Sequence, residues 1–391
     1  MDDNRRFLRL HPRAALKRLE RPFVYHLDRD ELYEIDAAAE SFLVSCDGTL
    51  AREKAAAEEE FVAYCLEEGL LEVLSQPEYT PVCMDRAPVP SLRYLELQLT
   101  SRCNLKCLHC YLGPPQQDVL PLAAALGIAS EFSSHGGLRL LITGGEPLCY
   151  PHIEEFIEKT ADLKVRRVIL TNGTLIATEN IRRLAVENIQ FSLDGWRAGH
   201  EQVRGKGSFD KALQGIYAAR EAGIPVSIAT MIHRGNLKEF DRMRRFAEEI
   251  EATEWGIDVP CVAGSLAHNT NLIVPYEEAV PFMRYSYGGG YHGSSDGFAC
   301  GHHLMTVLPT GRAVKCGFYA DAPLGDAREG LMACWGRLRH VPLETLECRS
   351  CPVVEECAGG CRFRAPHPLA PDPVMCILHG RDRLASPERK P

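Results

Sequence analysis

The chain has 391 residues, 45% hydrophobic and 25% charged, which fits two or three soluble folded domains and excludes a disordered or fibrous protein. The formal net charge of −9 argues against a protein whose main partner is nucleic acid or an anionic membrane, and no apolar stretch is long enough to span one. The chain also contains 16 cysteines. Because residues 1–20 are charged throughout and lack an apolar export segment, we expect a cytoplasmic protein whose reduced thiols bind metal.

Residues 1–90 form the first compositional block and end in a proline-rich segment typical of a linker. Short strands at 23–27 and 32–35 around a turn predict a hairpin, and helical composition follows at 37–44 and 55–70. This pattern is typical of a winged-helix-like module. Such modules often bind DNA, but the block contains 11 Lys and Arg against 19 Asp and Glu, a net of −8, which disfavours a phosphate-binding surface.

Residues 91–290 alternate strand and helix signals, which predicts an α/β domain with a parallel sheet. The predicted strands are 94–100, 138–143, 168–171, 189–193, 226–230 and 255–259, and the predicted helices are 119–134, 153–163, 179–187, 209–222 and 237–250. Six strands fit a partial (β/α)6 TIM barrel, whose chemistry is expected in loops after the carboxyl ends of the strands. The last block, residues 291–391, has little apolar periodicity and many cysteines, so we expect metal to hold it together.

The loops after the first two barrel strands carry the clearest chemical signals. Cys103, Cys107 and Cys110 form a C-x3-C-x2-C run, in which three thiolates can hold one face of an iron–sulfur cube and leave the fourth iron without a protein ligand. A zinc site or a partly buried thiol cluster is the alternative. The second loop is 144–147, Gly-Gly-Glu-Pro, in which the glycines let backbone approach a ligand and the carboxylate can bind an amino group.

These two loops resemble the signature of the radical S-adenosylmethionine (SAM) superfamily, over about 200 residues. The resemblance implies that the three cysteines hold a 4Fe-4S cluster, that its open iron chelates SAM, and that one electron splits SAM into methionine and a 5′-deoxyadenosyl radical. Gly144, Gly145 and Glu146 would then line the methionine amino group, and His109 would stand beside the adenine. Further SAM contacts are expected from residues in these loops and at later strand ends: Tyr111, Pro147, Asn172, Ser192, Asp194, Arg204 and Thr230.

The last block contains a regular cysteine array, which is made of Cys300, Cys316, Cys348, Cys351, Cys357, Cys361 and Cys376. It resembles the SPASM domain, an auxiliary-cluster module of radical SAM enzymes that act on peptides; a pair of zinc ribbons is the alternative. The resemblance implies two further 4Fe-4S clusters, one held by the cysteines at 348, 351, 357 and 376 and the other by those at 300, 316 and 361.

The second of these predicted clusters lacks one ligand. Ser294 stands where the fullest pattern has a cysteine, with His292 and Asp296 nearby. Cys334 could complete the site, a non-cysteine could do so, or one iron could stay open to substrate. The remaining cysteines are scattered and are interpreted as buried structural thiols: Cys46, Cys65, Cys83, Cys149 and Cys261.

Placed before such a unit, residues 1–90 resemble the RiPP recognition element, which is similar to the small peptide chaperone of pyrroloquinoline quinone biosynthesis. The resemblance implies that the leader of a ribosomally made precursor peptide adds a strand to the module. We therefore expect a three-domain peptide maturase, supplied with electrons by a flavodoxin or ferredoxin, that forms thioether or carbon cross-links while auxiliary clusters remove an electron. The alternatives are a protein-directed maturase of the sulfatase or quinohemoprotein type, and a non-catalytic metal protein that binds a peptide.

Overall fold

The structure is a computed structural model that describes residues 6–290, 292 and 296–381. The amino-terminal module has two small sheets, with strand orders β5-β1-β6 and β4-β3-β2-β7, around a core that includes Leu8, Leu16, Val24, Leu43 and Val62. Its elements are β1 (Phe7–Leu10), β2 (Ala14–Arg18), β3 (Pro22–His26), β4 (Glu31–Glu34), α1 (Ala37–Ser45), β5 (Asp47–Ala51), α2 (Glu59–Glu67), β6 (Leu71–Leu74) and β7 (Met84–Arg86).

The predicted hairpin is present as β3 and β4, and the first predicted helix is α1. Helix α1 begins where the Asp36 carboxylate accepts a hydrogen bond from the Ala39 N–H at 2.8 Å, which satisfies one of the free donors of its first turn. The second predicted helix is shorter than expected, because α2 covers only the centre of 55–70. Strand β4 pairs with β3 alone and lies at the end of its sheet. Among the described residues, strand β4 is therefore one of the edge strands of the module, as are β7 in the same sheet and β5 and β6 in the other.

The central domain contains six consecutive parallel strands in the order β8 to β13, as the predicted alternation requires. Its elements are β8 (Tyr94–Thr100), α3 (Leu122–Ser134), β9 (Arg139–Gly144), α4 (Ile153–Lys159), β10 (Arg166–Thr171), β11 (Asn188–Ser192), α5 (Arg197–Arg204), α6 (Ser208–Glu221), β12 (Val226–Met231), α7 (Phe240–Glu249), β13 (Glu254–Asp258) and α8 (Tyr276–Ala279). The predicted helix at 179–187 is wrong, because only a short 3-10 turn forms at Ile181–Arg183. The curvature of a partial barrel stays a prediction.

The carboxyl-terminal region adds to the same sheet. Strand β14 pairs in parallel with β8, with Leu304 opposite Tyr94, and extends the sheet beyond the boundary expected at residue 290. The elements are β14 (Leu304–Val307), β15 (Arg312–Val314), β16 (Gly325–Asp326), α9 (Leu331–Trp335), α10 (Val354–Cys357) and α11 (Pro373–Leu378). Long regular elements are few here, as expected. In the part of the chain that the structure describes, no helix is both long enough and apolar enough to cross a membrane.

The amino-terminal module packs against the amino ends of the central strands. Its Tyr25 and Leu27 form an apolar cluster with Leu138, which directly precedes β9. The Asp30 carboxylate lies 2.6 Å from the Arg139 side chain. Burial alone would raise the pKa of Asp30, but the positive charge of Arg139 outweighs it and the pKa is lowered. Arg166, at the start of β10, donates to the Leu27 carbonyl at 2.8 Å. The module is thus attached through both apolar and ionic contacts to the end of the sheet opposite the loops that carry the predicted chemistry.

Candidate active site

The three loop cysteines lie together after the carboxyl end of β8. Cys103, Cys107 and Cys110 are each partly buried, and burial, with a contribution from the neighbouring thiols, raises the pKa of Cys103 to about 12. Partly buried thiols of this kind lose their protons only when a nearby cation or metal compensates the negative charge of the thiolates. The grouping fits the three-thiolate half of an iron–sulfur site.

The two glycines after β9 bring the second loop into direct contact with the cysteine loop. The Gly145 N–H donates to the Thr100 carbonyl at 2.7 Å, and the Glu146 N–H donates to the Arg102 carbonyl at 2.8 Å. A Cβ atom on Gly144 would lie 2.3 Å from the Thr100 oxygen, and one on Gly145 would lie 2.5 Å from the Arg102 oxygen. The two glycines therefore allow their loop to approach the backbone of the cysteine loop, whereas the sequence suggests an approach to a ligand.

Gly145→Ala is expected to destabilise the protein by about 1–3 kcal/mol and to reduce iron at the loop cysteines, because the new methyl group overlaps the Arg102 backbone. The matched control is Gly127→Ala in α3, where an added Cβ meets nothing within 4 Å; this change is expected to stabilise by about 1 kcal/mol through helix propensity. Thermal unfolding and iron analysis measure both effects. A Gly145→Ala protein as stable and as rich in iron as the parent would contradict the steric account.

The Glu146 carboxylate is buried at the centre of the site, with the residue only 1% exposed. Its Oε1 accepts from the Thr171 hydroxyl at 2.7 Å and from the Leu148 N–H at 3.1 Å, while Oε2 accepts from the Asn172 N–H at 2.8 Å. Burial raises the pKa of Glu146. Since a carboxylate offers about four lone-pair positions, Oε2 keeps one for a further donor such as an ammonium group.

The loop after β10 is tied to the cysteine loop by amide side chains. Asn172 donates from Nδ2 to the Asn104 Oδ1 at 2.9 Å and accepts at Oδ1 from the Thr174 N–H and hydroxyl. Asn104, between the first two cysteines, also donates to the Thr174 hydroxyl at 2.8 Å. Asn172 therefore positions the cysteine loop, and its predicted SAM contact stays a prediction.

The buried Asp194 carboxylate, Arg204 and His109 form one hydrogen-bonded group beside the cysteines. Arg204 Nε lies 2.6 Å and His109 Nε2 lies 3.0 Å from the same Asp194 oxygen. Although burial acts in the opposite direction, these partners hold the pKa of Asp194 well below its usual range. Arg204 Nη1 is 3.9 Å from the Cys107 sulfur. His109 Nδ1 is buried and has no hydrogen-bond partner among the described residues, so it can accept or donate one bond to a ligand.

The other predicted contacts differ in how much of their hydrogen-bonding capacity is left. Thr230 donates to the Leu193 carbonyl at 2.7 Å and accepts from the Trp255 indole at 2.9 Å, so its hydroxyl is occupied within the sheet. Ser192, at the end of β11, makes no side-chain hydrogen bond with the described residues and remains available. Pro147 is buried and begins a short 3-10 turn.

Tyr111 joins the cysteine loop to the carboxyl-terminal region. Its hydroxyl donates to Glu96 at 3.0 Å, and its ring lies 4.9 Å from that of Phe318, which follows Cys316 closely in the chain. Burial raises the pKa of Tyr111 well above its usual value, so the phenol stays protonated. The loop cysteines and the carboxyl-terminal cysteines are therefore connected through packed side chains.

Four carboxyl-terminal cysteines line one pocket, together with Asp372, Met375 and His379. They are Cys348, Cys351, Cys357 and Cys376. Burial raises the pKa of Cys376 to about 11, and the negative charges of the other three thiolates contribute to this increase. Four converging thiols are a complete ligand set for a 4Fe-4S cluster, and also for zinc.

The remaining three predicted ligands, Cys300, Cys316 and Cys361, form a second group. Burial and the charges of the other two thiols raise the pKa of Cys316 to about 12. Cys334 lies elsewhere: it is 1% exposed in α9, within the core of the central domain, and none of the charged groups around its sulfur is a cysteine. Its predicted role as the completing ligand is therefore not supported. Ser294 lies outside the described residues.

Sequence reasoning missed the position of Cys261. This residue follows β13 and is 8% exposed, and its sulfur lies 4.0 Å from that of Cys361, one hundred positions later in the chain. No spacing motif connects the two residues, so only the fold shows their proximity.

Cys46 and Cys65 are buried in the core of the amino-terminal module, as interpreted from the sequence. The same interpretation is wrong for Cys83, which is exposed because it lies in the segment after β6, and Cys149 is only partly buried.

Comparison with known proteins agrees with this arrangement. Residues 97–247 match the Radical SAM superfamily. This segment is therefore similar to a radical SAM domain, and the prediction of an enzyme is confirmed. The number of auxiliary clusters stays a prediction.

Individual relatives share different parts of the chain. An AdoMet-dependent heme synthase of Oleidesulfovibrio alaskensis is 29% identical over 51% of this chain and 53% of its own. The chain thus spans about half the length of the first curated relatives it matches. The mycofactocin maturase MftC of Mycobacterium tuberculosis is 28% identical over 76% of this chain and 86% of its own.

The fold as a whole is that of a solved structure, Streptococcus suis SuiB bound to S-adenosylmethionine. SuiB has a TM-score of 0.68 and 16% identity, and the match covers 93% of this chain and 98% of SuiB. A second structure of SuiB contains its precursor peptide SuiA. The chain is thus similar in sequence to a heme synthase and to a mycofactocin maturase, and similar in fold to SuiB.

Proposed function

We propose that the protein is a radical SAM enzyme that modifies a ribosomally made precursor peptide, and that the product carries a thioether or carbon cross-link. The observation that supports this most is the attachment of an acidic module with an open strand edge to a radical SAM domain. A protein-directed maturase would need no leader-binding module, and a non-catalytic metal protein would need no buried carboxylate beside an incomplete cysteine set.

Each residue group of the site has a place in this reaction. Cys103, Cys107 and Cys110 would hold the SAM-binding cluster, with Arg204 balancing negative charge near Cys107. Glu146 would use the remaining lone pair of Oε2 to accept a hydrogen bond from the SAM ammonium group, and the unpartnered His109 Nδ1 would contact the adenine. When bound, the clusters would supply electron transfer, with one electron passing to SAM and one taken from the substrate.

The substrate side of the reaction balances without a further oxidant. A carbon of the core peptide would lose one hydrogen atom, which would leave the site in the 5′-deoxyadenosine product of SAM cleavage. As the new bond closes, the substrate gives up one proton and one electron. The electron would pass to the carboxyl-terminal cysteine sites, and a flavodoxin or ferredoxin is the proposed source of the initial electron.

The leader of the precursor would bind along β4. Among the residues that the structure describes, this strand pairs only with β3, so its outer N–H and C=O groups can pair with an extended peptide. Tyr33 on β4 packs edge-to-face against Tyr64 of α2, with ring centroids 6.5 Å apart, and Tyr64 is 45% exposed. An exposed aromatic beside an open edge offers an apolar contact for a leader side chain.

Anaerobic incubation of the reduced, iron-loaded protein with SAM and the peptide encoded beside its gene tests the proposal. We expect 5′-deoxyadenosine and a peptide product lighter by two hydrogen atoms, located by tandem mass spectrometry. Omission of the precursor should leave only uncoupled SAM cleavage. SAM cleavage with no change in any candidate peptide, alongside modification of a folded protein substrate, would favour the protein-directed alternative.

A further inference from the structure

The group formed by Cys300, Cys316 and Cys361 needs one more ligand to hold a 4Fe-4S cluster with an all-cysteine set. The candidates that the sequence offered are engaged elsewhere. Cys334 lies in the core of the central domain, His292 accepts or donates at Tyr94 and at the Asp30 carbonyl, and Asp296 contacts Arg93 and His303.

Cys261 lies directly at this group. Its sulfur is 4.0 Å from the Cys361 sulfur, a separation well beyond the ~2.05 Å of a disulfide bond.

A salt-bridge network holds Cys261 in this position. Arg364 donates to the Val259 carbonyl at 2.9 Å and to Asp258 at 3.1 Å, both just before Cys261 in the chain. The same guanidinium donates to the fully buried Asp372 at 2.8 Å. The Asp372 carboxylate in turn accepts from the Cys361 N–H at 2.8 Å. One arginine and one aspartate therefore connect the backbone around both cysteines.

Positive charge surrounds the four thiols. Lys315 immediately precedes Cys316, and its side chain packs over Gly301, which follows Cys300. The Arg364 side chain is only 6% exposed. An iron–sulfur cluster with four thiolates is anionic, so the partly buried Lys315 and the buried Arg364 side chain lower the free-energy cost of holding it.

We propose that Cys261 is the fourth thiolate ligand of the auxiliary cluster held by Cys300, Cys316 and Cys361. This assignment rests on the proposed iron–sulfur function of the carboxyl-terminal cysteines. It takes one ligand from the loop after the last strand of the central domain, and so links that domain to the carboxyl-terminal region through the cluster.

The test uses the full chain with Cys103, Cys107 and Cys110 replaced by alanine, so that auxiliary iron alone is measured. After anaerobic reconstitution this parent should hold about eight irons per chain, two cubes of four. Adding Cys261→Ala should reduce iron to about four, or leave a cluster with altered electron paramagnetic resonance and Mössbauer spectra. Cys261→Ser, nearly the same size, should give the same spectral change, and circular dichroism should show that both variants are folded.

Cys334→Ala is the matched control, since it also removes a buried thiol from the same half of the chain. It should leave iron content and spectra unchanged. Spectra and iron identical to the parent in both Cys261 variants, or a disulfide between Cys261 and Cys361 in the iron-loaded protein, would overturn the assignment. A parent that binds zinc, and loses one equivalent on Cys261→Ala, would refute the iron–sulfur function yet retain Cys261 as a ligand; a parent that binds no metal refutes both.

Discussion

Replacement of Cys103, Cys107 and Cys110 together by alanine is expected to abolish 5′-deoxyadenosine formation and to remove about four irons per chain. The reason is that these three thiols form one group beside Glu146, while the carboxyl-terminal cysteines form separate groups with their own partners. Liquid chromatography of the nucleoside product and iron analysis of the same sample provide the measurement. Iron in the carboxyl-terminal groups should remain.

Cys149→Ala is the control for this prediction. Cys149 lies in the turn after Glu146 and is partly buried, so it is a neighbouring thiol outside the predicted ligand set. This variant should keep SAM cleavage and the full iron content. Undiminished cleavage in the triple variant, or its loss in Cys149→Ala, would show that the ligands are assigned wrongly.

Glu34→Pro on β4 is expected to weaken binding of the precursor leader by about tenfold or more, while uncoupled SAM cleavage continues. The Ile35 N–H pairs with the Pro22 carbonyl of β3, and strand alternation then turns the Glu34 N–H toward the open edge. Proline removes that donor without removing a bond of the β3 ladder. Fluorescence anisotropy with a labelled leader measures the affinity, and product analysis measures cleavage.

Glu34→Ala is the matched variant, because it also loses the exposed ion pair with Arg21 but keeps the backbone donor. Its leader affinity should stay near that of the parent and depend weakly on salt, since backbone pairing and burial carry the binding. Equal affinity in the proline and alanine variants would exclude β4 as the binding edge. Tight, salt-sensitive binding of DNA by the protein would favour the nucleic-acid interpretation instead.

Point variants are preferable to removal of residues 1–90. Arg93, at the start of the central domain, is 3% exposed and pairs with Glu20 at 2.5 Å, so truncation would leave a nearly buried charge without this partner. Leu138 would also lose its apolar cover. A truncated protein that fails to cleave SAM would therefore report instability as readily as the absence of leader binding.

The central strands were predictable because their apolar runs are short, regular and buried on a parallel sheet. Helix α5 was missed because its eight residues are mostly polar and bury only Gly199, His200 and Val203. The segment 179–187, predicted as a helix, ends instead at Glu187. The carboxylate of Glu187 accepts hydrogen bonds from the backbone N–H of Arg167, at 2.7 Å, and from the Arg167 guanidinium. Tertiary pairing here overrides local helical preference.

The candidate site divides in the same way. Residues within one loop, such as the cysteines after β8, are recognisable by spacing. Cys261 was interpreted as a structural thiol because its neighbour in space, Cys361, is one hundred positions away, and nothing local distinguishes it from other buried cysteines. The Asp194 group was only partly predictable. Each of its three residues was a candidate from the sequence, but the hydrogen bonds that join them depend on the fold.

Because the amino-terminal module is attached at the amino ends of the strands, a peptide bound to it must span a minimum distance to the candidate active site at their carboxyl ends. Strand β8 alone, seven residues long, separates the two ends of the sheet by about 20 Å. An extended peptide advances at most ~3.6 Å per residue, so at least about six residues must separate the segment on β4 from the carbon that reacts, and a path around the protein surface requires more. Under the proposed binding of the leader along β4, this distance would limit which position of the precursor can react. Shortening the spacer below that length should then stop modification without loss of leader affinity.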